Sequence, residues 1–175
     1  MLTHQEFDNK NVYIRRLCLA GIVLLTALLQ NTEGLLPSVL GFRAMPLIPA
    51  VICIAMYERE LPGMFFGVFA GLLWDSAART GTNLNTILLT ILAFVCGCLI
   101  THLMRNNILT ALLLVGSATT VFLLFYFLKD FVFSGHIDGA YKLLTFYIPS
   151  AVYTVLFLPL LYYVIHLIEK KFADR

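Results

Sequence analysis

Residues 63–86 read GMFFGVFAGLLWDSAARTGTNLNT, an apolar run with a glycine at every fourth position that then meets an aspartate. Gly63, Gly67 and Gly71 recur at a spacing that places them on one face of a helix, and Asp75 is the next member of the series. A face with almost no side-chain volume lets a second backbone come close enough for van der Waals contact to compete with lipid. The following apolar segment offers a matching face in Thr86, Thr90, Ala93 and Gly97, so the pattern predicts a tightly packed helix pair. A close-approach ligand site is the other use of such a face.

Asp75 is followed by Ser76, Arg79, Gly81, Thr82, Asn83 and Asn85. A carboxylate at the bilayer centre carries a penalty of about 3 kcal/mol on translocon scales, so it must pair, snorkel or sit near water. At a helix end it has two structural partners: Arg79 four residues on, or the N-terminal amides of the next helix, where negative charge is favoured. Asn83 or Asn85 is placed to cap that helix, and Gly81 allows the turn before it. The leading expectation is a structural lock on this connection. A partner-binding or ligand-binding carboxylate comes second. Acid–base chemistry comes third, because no second carboxylate or histidine stands nearby in sequence.

Composition names the solvent in which this packing happens. Of the 175 residues, 60% are hydrophobic and 13% charged, against about 45–50% apolar and about 25% charged in soluble globular chains. Backbone polar groups cannot stand bare in hydrocarbon, so a chain this apolar spans as helices or as a closed barrel. Unbroken runs such as Ile108–Leu128 lack the alternation of barrel strands, which leaves helices. The net charge of +2 comes from basic residues spread along the chain, which excludes a nucleic-acid footprint. Cys18, Cys53, Cys96 and Cys98 all fall in apolar segments and read as small buried hydrophobes.

A span needs about 20 residues to cross roughly 30 Å of hydrocarbon. Six segments meet or approach that length: 17–36, 45–58, 62–75, 84–103, 108–129 and 146–168. The expected fold is therefore an all-α polytopic membrane protein, one transmembrane domain over residues 1–175, whose six helices include a short second and third. Between those two lies YERELPG, residues 57–63. Two short spans across a locally thin bilayer, or a helical hairpin entering and leaving by one side, both fit this stretch, and the Arg/Lys balance favours two spans. With the N terminus inside, eight basic residues (Lys10, Arg15, Arg16, Arg59, Arg105, Lys170, Lys171, Arg175) fall on inner loops and four (Arg43, Arg79, Lys129, Lys142) on outer ones. This positive-inside bias puts both termini in the cytoplasm. LCLAGIVLLTALLQ, residues 17–30, lacks a small-residue cleavage site and is expected to remain as the first helix. FVFSGHIDGAYKLLT, residues 131–145, is amphipathic enough to skim the outer interface.

Gln30, Asn31, Thr32 and Glu33 put polar groups at the outer edge of the first helix, where Gln30 is expected to hydrogen-bond to a neighbouring helix and Glu33 to reach headgroups. His102 with Arg105, and His166 with Lys170, read as partners of C-terminal helix dipoles. Pro159 lies in the middle of the last segment, frees a carbonyl and predicts a kink around Leu156–Leu160. Phosphate-cradling, zincin and nucleophile-elbow motifs do not occur in the chain.

From Leu28 to Asp75 the order of features, LLQNTEGLLPSVLGFRAMPLIPAVICIAMYERELPGMFFGVFAGLLWD, resembles the rod shape-determining protein family MreD. The likeness rests on Gln30-Asn31 late in the first helix, Pro46 before the second, the Gly63/Gly67/Gly71 segment ending in Leu72-Leu73-Trp74-Asp75, and Gly81 before Leu84. The chain departs at Leu47, where the family often has Asp, and at Ser76–Thr80, where its loop is often Gly/Pro-rich. The resemblance implies a component of the bacterial inner membrane involved in cell shape and peptidoglycan synthesis. Its implied partners are the bitopic coiled-coil protein MreC, the actin-like MreB and the wall-synthase glycosyltransferase/transpeptidase pair. MreD-like proteins also look similar in fold to the substrate-binding subunits of vitamin-uptake transporters.

The leading functional expectation is a non-enzymatic membrane adaptor that needs no cofactor or metal and works through lateral contacts within lipid. A solute-binding subunit is the alternative, drawing on Gln30, Glu33, Asp75, Asn83 and Asp138. An intramembrane enzyme is the third.

Overall fold

The helix at the centre of the molecule is shorter than the roughly 30 Å of a bilayer's hydrocarbon core. The computed structural model describes residues 2–32, 45–78, 83–134 and 148–173, so the sequence candidates Glu33, Arg79, Gly81 and Asp138 lie outside the described residues. Their secondary structure is entirely helical: α1 (Leu2–Asn31), α2 (Leu47–Glu58), α3 (Glu60–Ala78), α4 (Leu84–His102), α5 (Ile108–Ser134), α6 (Ile148–Leu156) and α7 (Leu158–Ala173). With 12 residues, α2 is only about 18 Å long. Every α2 residue except Tyr57 is buried, as expected of a helix that is apolar all round.

α2 touches each of the other six helices. Around it α1 packs on α3, α3 on α4, α4 on α5, α5 on α6 and α7, and α7 back on α1. Five stretches are long and apolar enough to cross a membrane: Val12–Asn31, Glu60–Ala78, Leu84–His102, Ile108–Lys129 and Pro149–Phe172. They carry the large exposed apolar side chains, among them Leu25, Phe65, Ile91, Leu113 and Leu160. The chain is thus a multi-span helical bundle whose apolar surface suits lipid and whose central helix meets only protein.

Three expectations need correction. The third helix is not short: it has 19 residues. Pro62 falls in its first turn, where a missing N–H is harmless, and Asp75 does not end it because its carboxylate is satisfied sideways. The fifth helix runs on to Ser134, so the stretch expected to skim the interface from 131 begins as helix, and residues 135–145 lie outside the described ones. Finally, the kink at Pro159 is a full break. Phe157 leaves the helix, its N–H donates to Thr154 O at 3.2 Å, and Pro159 then sits in the first turn of α7.

α2 runs antiparallel to α1, since Gln30 meets its start and Arg16 its end. The chain then reverses within one residue at Arg59, whose φ of 71° and ψ of −170° occupy a region that only glycine enters freely. The reversal lies level with Arg15 and Arg16 of α1 and His102 of α4. The 45–75 stretch therefore runs from the level of Gln30 to the level of Arg16 and turns back.

Candidate functional site

The glycine face of α3 is filled by other helices of the same chain. A Cβ on Gly71 would stand 2.3 Å from Thr86 Cα, one on Gly67 would stand 2.9 Å from Leu89 O and 3.0 Å from Ala93 Cβ, and one on Gly63 would stand 2.9 Å from Ala55. On the facing helix a Cβ on Gly97 would stand 2.9 Å from Glu60 Cα. The matching face expected on α4 is therefore the one used, and α3 and α4 lie backbone to backbone. Gly21 and Gly116, by contrast, have nothing within 4 Å.

That close approach delivers Asp75 to the start of α4. The carboxylate is buried; one oxygen accepts from Asn85 Nδ2 at 2.8 Å, the other from Thr86 N at 2.9 Å and Thr86 Oγ1 at 2.6 Å. Thr86 is the third residue of α4, so its N–H is one of the donors that a helix leaves unpaired at its start. Asp75 thus caps α4 from the neighbouring helix. Asn83, expected to be a cap, precedes α4 with no side-chain cap bond, because that donor is already taken. Asn85, the other expected cap, lies inside α4, where its Oδ1 accepts from the Tyr126 hydroxyl and ties α5 to the same network. Trp74 stacks on Phe122 at 5.1 Å, and Phe122 lies 5.2 Å from the Tyr126 ring.

The start of α2 is held in the same way. Gln30 Oε1 accepts from Leu47 N at 3.2 Å, the interhelical bond expected of it, and Met45 N donates to Thr154 Oγ1 at 3.1 Å. Pro46 removes a further donor.

The far end of α2 carries a cluster that sequence reasoning missed. Glu58 has its side chain only 1% exposed, with Arg15 Nη2 at 2.6 Å and Arg16 Nε at 3.1 Å. Arg15 Nη1 also reaches Glu169 of α7 at 3.2 Å. Arg15 and Arg16 had been assigned to an inner loop, and a pairing 42 residues apart leaves no periodic trace. The available signal was the placement of Glu58 directly after an uninterrupted buried run. His166, expected at a helix end, lies within α7 with Nδ1 3.1 Å from the Tyr57 hydroxyl, and His102 sits 3.0 Å from Glu60. Cys53 and Cys96 are buried free thiols.

Chemically, each of these groups holds helices together: Gln30, Asp75 and Glu58 satisfy helix starts or cations of neighbouring helices. Among the described residues no group of three or more His, Cys, Asp or Glu is placed to hold a metal. No family model, curated protein or solved structure matches the chain.

Proposed function

We propose that the protein is a non-enzymatic membrane scaffold of the rod-shape elongation machinery, spanning the bacterial inner membrane six times with both termini in the cytoplasm. The observation that carries this reading is the inward use of its polar side chains. Gln30 and Asp75, the described groups that a solute cavity would have drawn on most, are bound to the starts of α2 and α4. What the bundle offers to other molecules is an outer surface of apolar side chains, such as Phe65 and Phe69 on α3 and Ile87 and Ile91 on α4. The ordered likeness to MreD from Gln30 to Asp75 supports the same role, with an MreC-like bitopic protein as the direct neighbour and the MreB-like filament and wall synthases beyond it. Because the glycine face is filled from within, lateral contact falls to these outward residues.

The test is co-expression with a tagged MreC-like protein and purification in mild detergent. Stoichiometric recovery, lost on Phe65→Ala/Phe69→Ala or Ile87→Ala/Ile91→Ala replacement in normally inserted protein, is the expected outcome. Absence of any association, together with thermal stabilisation of the isolated chain by one vitamin-like solute, would replace the scaffold by the solute-binding reading. Turnover removed by Asp75→Asn would replace it by an enzyme.

A further inference from the structure

The charge cluster at the Arg59 reversal is polarised. Its carboxylates point inward, with Glu58 and Glu169 side chains 1% and 12% exposed. Arg15 turns inward to both carboxylates, whereas Arg16 and Arg59 are left on the outside. Arg16 is held through Nε alone, on Glu58, and its terminal nitrogens have no partner among the described residues. Arg59, the residue after Glu58, is exposed and likewise unpaired among the described residues. A molecule approaching from outside therefore meets guanidinium edges, with Glu58 and Glu169 buried behind them and the partly exposed Glu60 paired with His102 at 3.0 Å.

Two further features bear on what that molecule is. Arg59 adopts a backbone conformation that glycine would occupy without strain, so the position carries a large cation at a cost in stability. Leu17, beside Arg16, and Leu61, two residues beyond Arg59, are 75% and 61% exposed, on two helices that pack together. Exposed cations within two residues of exposed apolar side chains, on helices that pack together, suit an anionic head with an acyl chain attached. A guanidinium pinned at one edge presents the other as a ready two-pronged donor to phosphate.

The geometry points to a phosphate site for an anionic phospholipid at the α1–α3 groove, with Arg16 and Arg59 taking the phosphate and Leu17 and Leu61 the upper acyl chain. This inference needs only that the bundle lies in a membrane and is independent of the scaffold reading. It differs from a general attraction of basic residues to an anionic surface, because Lys170 and Lys171, exposed at the end of α7, have no part in it.

The experiment measures thermal unfolding of the full chain in phosphatidylcholine vesicles with and without phosphatidylglycerol, and in detergent with inorganic phosphate. Phosphatidylglycerol raises the midpoint, and inorganic phosphate, lacking the chain, does so far less. Arg59→Gly is the decisive variant: it raises the midpoint in phosphatidylcholine by relieving strain, yet removes most of the phosphatidylglycerol increment. Arg16→Gln lowers that increment as well, whereas Lys170→Gln/Lys171→Gln leaves it intact. An increment that survives Arg59→Gly, or that falls equally with the lysine pair, would overturn the site. An equal response to inorganic phosphate would overturn its assignment to lipid.

Discussion

Two buried carboxylates, one at each end of the bundle, solve the same problem with different chemistry. Asp75 is satisfied by an amide, a hydroxyl and a backbone N–H, all from α4, 10 and 11 residues away. Glu58 is neutralised by two guanidinium groups from α1, Arg16 through a hydrogen bond and Arg15 through an ion pair, and Arg15 also holds Glu169, 154 residues distant. The first is a local device that seals one helix hairpin. The second joins α1 to α2 through Arg15 and Arg16 and reaches α7 through Glu169, so it is complete only when the whole chain has assembled. The contrast separates a hairpin that sequence patterning alone can specify from a closure that depends on topology.

The Asp75 end breaks most completely through its backbone. Gly71→Leu drives side-chain atoms into the Thr86 backbone, where even a Cβ would lie at 2.3 Å. Loss of monodisperse folded protein on size-exclusion chromatography is expected, while Gly116→Leu, with open space around it, elutes normally. Asp75→Ala leaves Asn85 and both Thr86 donors without their acceptor, a loss of about 3–5 kcal/mol, the lower part of what three groups at about 1–3 kcal/mol each would give, because Thr86 is only half-buried. Reversible unfolding in detergent measures it, and Asp75→Asn, which keeps one acceptor oxygen, recovers part.

Glu58→Gln is expected to be milder, about 2–3 kcal/mol. Breaking a fully buried pair costs about 3–5 kcal/mol, but Arg15 and Arg16 are 24% and 44% exposed and recover some hydration. Its signature is kinetic: closure formed last is lost first, so Glu58→Gln should speed unfolding with little effect on refolding. Asp75→Ala should slow refolding, as removal of an early hairpin contact does. Equal partition of both variants between the two rates would erase the distinction drawn between the ends.

Much of the α3–α4 hairpin was legible beforehand, because its determinants lie within about two helical turns of one another along each face. Gly63, Gly67 and Gly71 announce the bare side of α3; Thr86, Thr90, Ala93 and Gly97 announce its complement, and of the two partners offered to Asp75, Arg79 or the amides of the next helix, an amide is bound. Asn83 and Asn85 are the cap candidates by sequence because capping is normally local, and here the neighbouring helix supplies the cap. The pairing of Glu58 leaves no trace in the sequence because its partners, Arg15 and Arg16, lie 42 residues or more away on another helix, where no periodicity links them.

The sequence by itself determined that this chain is a bundle of membrane-length helices, since apolar runs without strand alternation satisfy their backbone in hydrocarbon only as helices, and that α3 and α4 pack through bare faces. Only tertiary structure decided that α2 is the hub and never faces lipid, because a short apolar helix reads the same whether protein or acyl chains surround it. Tertiary structure likewise decided that Arg15 and Arg16 close the ring by burying Glu58. The free energy of such a pair depends on distance and desolvation, which a linear chain does not record.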